Sequence, residues 1–154
     1  MRIHIPSSLR LEHEELHDFL ASAVREPGAL GDAARRVVHL LEPHFRKEEA
    51  FALPPLGLLE RLARGEVQPA MAEVYAQTEW LKNNFATLLY EHYVITAALE
   101  QLLAAARATQ RVDYVEFAER LINHARMEEQ VMYPAAILVG EYLKLRLAER
   151  ESIA

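Results

Sequence analysis

The residues most able to do chemistry are histidines and glutamates that interrupt apolar helical stripes. Six of them stand three or four residues from apolar neighbours on such a stripe: His13, His44, Glu48, His92, His124 and Glu128. A histidine and a glutamate four residues apart share one side of a helix and can reach the same metal ion or neighbouring ions. A carboxylate buried without a partner costs several kcal/mol, and a divalent cation offsets that cost. The pattern therefore predicts a metal site inside the core.

The same residues mark an internal repeat. The segments that begin at His44 and at His124 both follow the pattern H-x-R-x-E-E-x-x-x-x-P, with an offset of 80 residues. His13 and His92 are each preceded by glutamate, with an offset of 79 residues. A helix pair that occurs twice predicts a bundle with approximate two-fold symmetry, in which equivalent side chains from both halves face one central axis.

Helical periodicity defines the elements that must position these residues. Helices are predicted from a Ser cap after Pro6 to Pro27, from Asp32 to Pro54, from Pro69 past Ala106, and from Asp113 onward. Pro134 should kink or break the last helix, whose buried stripe includes Val131 and Leu138. We expect an all-α, up-down-up-down four-helix bundle with a short extra helix at Leu56–Arg64 between the second and third helices. One domain spans residues 1–154, with repeat halves at about 9–55 and 85–138.

Composition narrows the function. The net charge is -6 and no basic run occurs, which argues against nucleic acid and anionic membrane as partners. The chain has no cysteine, which excludes disulfides, thiolate metal sites and cysteine nucleophiles. No secretory leader and no apolar run of about 20 residues is visible, so we expect a cytoplasmic protein.

These motifs resemble the hemerythrin-like, or HHE cation-binding, family over roughly residues 9–138. The resemblance rests on His13, His44-x-x-x-Glu48, His92 and His124-x-x-x-Glu128, in the family's order. It implies two iron ions (Fe2+/Fe3+) that are bridged by two carboxylates and an oxygen. Imidazole and carboxylate ligands also suit zinc and manganese, so the ligand types leave these metals open.

His17 is predicted as a further metal ligand. It follows His13 by four residues, the spacing that lets two imidazoles on one helix bind one metal, whereas Thr96 stands at the matching place in the second half. The alternative is a partly exposed residue outside the ligand set. Two histidines per ion leave an open position on each ion, and a fifth histidine closes one of them.

The remaining polar residues near these motifs receive plainer interpretations. His4 and His39 are predicted as bystanders, and aromatic packing accounts for the tyrosines at 90, 93 and 133 as well as a role in the site does. Four glutamates lie next to the motif residues in sequence: Glu12, Glu49, Glu91 and Glu129. We expect them to be exposed to solvent, and hydrogen bonding to a ligand histidine is the alternative.

The leading functional hypothesis is a di-iron protein that binds dioxygen or a related small oxidant for sensing, scavenging or storage. The alternatives are a di-iron enzyme acting on peroxide or nitric oxide, an iron-handling or stress-response protein, and a bundle that acts through protein contacts. No nucleophile or acid–base pair is evident beyond the ligands, which favours a binding protein over an enzyme. The apolar segment around Trp80 suggests a homodimer contact.

Overall fold

The structure, a computed structural model, describes residues 3–153, with the side chains of 150, 151 and 153 excepted. The α-helices in this range are α1 (Ser7–Ala23), α2 (Gly28–Lys47), α3 (Leu59–Ala63), α4 (Tyr75–Ala108), α5 (Val112–Met127) and α6 (Tyr133–Ile153). Two π-helical turns, Glu48–Ala52 and Glu128–Met132, extend α2 and join α5 to α6. The turns Pro54–Leu58 and Pro69–Val74 are 3₁₀-helical, and the described range contains no strand.

Four arms form the bundle: α1, α2, α4 and the α5–α6 pair. Helix α2 packs against both α1 and α4, and α4 packs against α5 and α6. The predicted all-α four-helix bundle is therefore confirmed. The extra helix expected between the second and third arms is present as the 3₁₀ turn Pro54–Leu58 followed by α3.

Three predicted helix starts were wrong, and one of them is that of α5, which begins at Val112 after Arg111 rather than at Asp113. Helix α1 begins at Ser7, and its cap residue is Pro6, with no side-chain hydrogen bond to the first turn. Helix α2 begins at Gly28 rather than at Asp32, because Gly28 takes a φ of +68° that glycine adopts without strain and so lets the helix start directly after Pro27.

Six of the seven predicted ligand residues form a polar layer between two apolar clusters. On α4, Leu88 belongs to one cluster and Ile95 to the other, and His92 lies between them. On α5 and the π-helical turn that follows it, Leu121 and Met132 belong to different clusters in the same way. The polar layer is thus enclosed above and below by packed side chains, which keep water away from it.

A third apolar cluster packs the short helical segments between residues 54 and 74 against α6. Its buried members are Leu58, Leu62, Val67, Met71, Val74, Val139 and Leu143. Helix α6 also approaches α4 closely at Gly140, where an added Cβ would stand 2.2 Å from Thr78 Oγ1. Glycine at this position therefore sets the spacing of the two helices.

The exterior of the same helix pair is held by ion pairs. Lys82 Nζ and Lys144 Nζ each lie 3.1 Å from Glu141 Oε1, and Lys144 also donates to Glu79. Exposed pairs of this kind contribute about 0–1 kcal/mol each. Within residues 3–153, no helix combines the length and the apolar character that crossing a membrane requires.

The π-helical turns change the register of the helices that follow them. Each turn adds a residue relative to an α-helical turn, so the buried stripe after Glu128 moves on by one position. Val131 and Leu138 are 53% and 64% exposed, and their predicted burial was wrong. The interruption expected at Pro134 is this π-helical turn, after which the proline lies in the first turn of α6.

Two leucine truncations test this register. We expect Leu143→Ala, at a fully buried position, to lower the free energy of unfolding by about 2–5 kcal/mol because it leaves a cavity. Leu138→Ala on the same helix should change that free energy by less than about 0.5 kcal/mol. Chemical denaturation measures both. Equal losses, or a larger loss for Leu138→Ala, would show that the register is that of an uninterrupted α-helix.

Candidate metal centre

Six predicted ligand residues meet in the polar layer, and each is at most 5% exposed. Their ligand atoms form two groups within 4.8 Å: His44, Glu48, His92 and Glu128 in one, and His13, His124 and Glu128 in the other. We call these the His44/His92 half and the His13/His124 half. Glu128 belongs to both groups, so the two halves share a carboxylate.

Glu48 turns one carboxylate oxygen toward each half. Its Oε1 atom lies 3.0 Å from His44 Nε2 and 3.7 Å from His92 Nε2. Its Oε2 atom lies 3.9 Å from His13 Nε2 in the opposite half. The Glu48 carboxylate therefore spans the boundary between the two halves.

Glu128 does the same from the other side. Its Oε2 atom lies 3.3 Å from His92 Nε2, whereas its Oε1 atom lies 2.9 Å from His124 Nε2 and 3.6 Å from His13 Nε2. Two carboxylates that each direct one oxygen to either half have the arrangement of bridging ligands between two cations.

An outer carboxylate lies against the Nδ1 atom of every one of the four histidines. The pairs are His13 with Glu49 at 3.3 Å, His44 with Glu91 at 2.7 Å, His92 with Glu129 at 3.0 Å, and His124 with Glu12 at 3.3 Å. An acceptor at Nδ1 keeps the proton there and leaves Nε2 free to face the centre. The expectation that these glutamates are merely exposed was wrong.

The spacing of residues along the sequence does not predict these contacts, because each contact joins two different arms of the bundle. Glu12 precedes His13 on α1 and faces away from that histidine's side of the helix, but it reaches His124 on α5. Glu91 on α4 likewise reaches His44 on α2. The only signal available in the sequence was that these glutamates recur in both repeat halves.

Charge balance in the cluster depends on protons when no cation is bound. Burial alone would lower the pKa of His92, but the carboxylates of Glu128 and Glu48 outweigh burial and raise that pKa to about 10. Burial would also lower the pKa of His124, but nearby carboxylates, chiefly that of Glu128, raise it to about 9. Burial would raise the pKa of Glu128, yet His124, His13 and His92 hold it well below the usual value. A cation that binds the Nε2 atoms must displace these protons.

Four buried atoms have no hydrogen-bond partner in the described part of the chain: His13 Nε2, Glu48 Oε2, His124 Nε2 and Glu128 Oε1. The 2.9 Å approach between His124 and Glu128 lacks the orientation of a hydrogen bond. Leaving such groups unsatisfied costs about 1–3 kcal/mol each. A cation would satisfy all four, and mixed imidazole and carboxylate donors fit iron, zinc or manganese.

Tyr133 is a polar side chain of the site that the sequence left undecided. Its hydroxyl donates to Glu48 Oε1 and lies 3.3 Å from His92 Nε2 and 3.5 Å from His44 Nε2. The π-helical turn places it there, five residues after Glu128. Tyr90 and Tyr93 are 66% and 72% exposed and lie outside the cluster.

The other histidines lie at or near the surface. His17 is 41% exposed, with its Nε2 atom 3.5 Å from Glu49 Oε1, and it belongs to neither ligand group. Its predicted role as a ligand stays a prediction. His4 and His39 are exposed, where a bystander is expected to lie.

A four-helix bundle that encloses a cluster of histidines and glutamates between two apolar clusters defines a class of cation-binding proteins. The family model of the hemerythrin HHE cation binding domain matches residues 4–136 of this chain. The chain therefore belongs to the hemerythrin HHE cation-binding domain family. No curated protein and no solved structure matches it significantly.

The outer carboxylates predict how cation affinity responds to substitution. Burial would raise the pKa of Glu91, but hydrogen bonds from Lys47 and His44 lower it, so this carboxylate stays charged. We expect Glu91→Gln to weaken Fe2+ binding about tenfold or more, because His44 loses a charged acceptor that orients it. Anaerobic calorimetry measures the affinity. Glu100→Gln, at an exposed position of the same helix, is the control, and equal affinities in both variants would contradict the assigned role.

Proposed function

We propose that this chain is a non-haem di-iron protein that binds dioxygen or a related small oxidant for sensing, scavenging or storage. The observation that supports two ions rather than one is the pair of carboxylates, Glu48 and Glu128, each with one oxygen toward either half. The unpartnered buried atoms add support, because a cation is the group that would satisfy them.

Each ligand residue has a defined part in this proposal. His13 and His124 would hold one ion, His44 and His92 would hold the other, and the two glutamates would be shared between them. A pair of iron ions supplies a reversible redox couple with open coordination positions. The protein supplies orientation through the outer carboxylates and excludes water through the apolar clusters on both sides.

The surroundings suit a small, weakly polar ligand. Phe45 lies with its ring centroid 4.7 Å from that of His13, and it is 1% exposed. Leu53, at 0% exposure, occupies the position five residues after Glu48. Side chains of this kind lower the local polarity around His13 and favour an apolar diatomic molecule over bulk water.

Anaerobic loading with Fe2+ followed by exposure to air tests the proposal. We expect two iron ions per chain and, after air, a new oxygen-to-iron charge-transfer absorption band. His44→Ala should bind fewer than two iron ions and lose most of the band, whereas His39→Ala on the same helix should retain both ions and the band because His39 is exposed. A colourless protein that binds no iron under these conditions would refute the proposal.

A second candidate is a di-iron enzyme that turns over peroxide or nitric oxide. The position of His17 outside both ligand groups favours it, because two histidines in each half would leave each ion a free position for a substrate. Iron-loaded protein should then consume peroxide faster than an equal concentration of free iron, as followed by peroxide absorbance. A rate no higher than that of free iron would leave the binding function as the better account.

A further inference from the structure

The two halves of the site differ at one position that the repeat makes equivalent. Tyr133 stands five residues after Glu128, and Leu53 stands five residues after Glu48. Both side chains are 0% exposed, and both follow a π-helical turn that begins at the glutamate. The chain therefore places a phenol in one half and an aliphatic side chain at the matching position of the other.

The phenol satisfies the His44/His92 half. Its hydroxyl donates to Glu48 Oε1 and lies within 3.5 Å of both histidine Nε2 atoms. The tyrosine ring also stacks on His92, with centroids 5.7 Å apart and planes at 18°. In addition, His44 Nε2 and His92 Nε2 lie 2.8 Å apart and form a hydrogen bond.

The His13/His124 half has no such contacts among the described residues. All four unpartnered buried atoms are the histidine nitrogens of this half and the carboxylate oxygens that face it. A cavity of about 370 Å³ also borders His13 and Leu53, and it is lined by Glu14, His17 and Glu49. Arg10 also lines this cavity and pairs with Glu14 at 2.7 Å, and a cavity of about 330 Å³ borders His44 in the other half, so the unpartnered atoms rather than the cavities distinguish the two halves.

We propose that the two metal positions are unequal: the His13/His124 half binds its ion first, and Tyr133 raises the metal concentration needed to fill the His44/His92 half. This inference rests on the proposed two-metal site. An ion in the first half meets donor atoms that make no hydrogen bond, although Glu128 Oε1 lies 2.9 Å from His124 Nε2. An ion in the second half must displace the hydroxyl from Glu48, and hydrogen bonds to charged groups are among the stronger ones.

Titration of metal-free protein with Co2+, followed by calorimetry and by visible absorption, tests this order. Wild type should bind two ions in two steps, and Tyr133→Phe should tighten the second step about tenfold or more while the first stays unchanged. Two nearby dications repel each other in every variant, so the comparison between wild type and variant decides the question. Circular dichroism verifies that each variant is folded.

Histidine variants identify the half that fills first. His124→Ala should remove the tighter step, and His44→Ala should remove the weaker one. If Tyr133→Phe does not fold, Tyr133→Leu replaces it, because leucine is the residue that the chain itself uses at the equivalent position 53.

The outcomes separate this inference from the proposed function. If the second ion binds Tyr133→Phe with the same affinity as wild type, the role of Tyr133 is overturned. The two-metal site itself would then still stand. A weaker second step in Tyr133→Phe would also overturn it, because the phenol would then be a ligand rather than an obstacle. Binding of no Co2+ at all would refute the two-metal site together with the inference.

Discussion

The structure depends on two carboxylates that are buried together at the centre of the bundle. Glu48 and Glu128 are 0% and 1% exposed, and their charges repel one another where water cannot screen them. Positive charge must therefore surround them, either as protonated imidazoles or as cations. The four histidines supply it, and an outer layer of carboxylates supports the histidines in turn.

Alternating charge organises the bundle from its axis to its surface. One path runs from Glu48 through His44 to Glu91 and ends at Lys47, which donates to Glu91. Each charged group lowers the energetic cost of burying the oppositely charged group beside it. Loss of the charge on Glu91 would therefore also weaken the interaction of His44 with Glu48 at the bundle axis. Because Glu91 on α4 contacts both His44 and Lys47 on α2, the polar layer also helps to fix how these two arms are arranged.

The sequence was sufficient for the bundle and for the six residues in the polar layer. Histidine and glutamate on a leucine-rich stripe are costly in a core, and that cost is visible in spacing alone. The outer carboxylates were not predictable, because Glu12 and Glu91 contact histidines of other arms and periodicity carries information about one helix at a time. The exposure of Leu138 was missed, and the contact of Tyr133 with Glu48 was left undecided, because both depend on an extra residue in a π-helical turn.

The two π-helical turns fix the number of residues between each central glutamate and the helical segment that follows it. Each successive residue turns a helix by about 100°, so loss of one residue between Glu128 and Pro134 would rotate all of α6 relative to α5. That rotation would carry Tyr133 out of the site and move Gly140 away from its close approach to Thr78. An insertion or deletion within these segments would therefore separate the site from the helix packing that supports it.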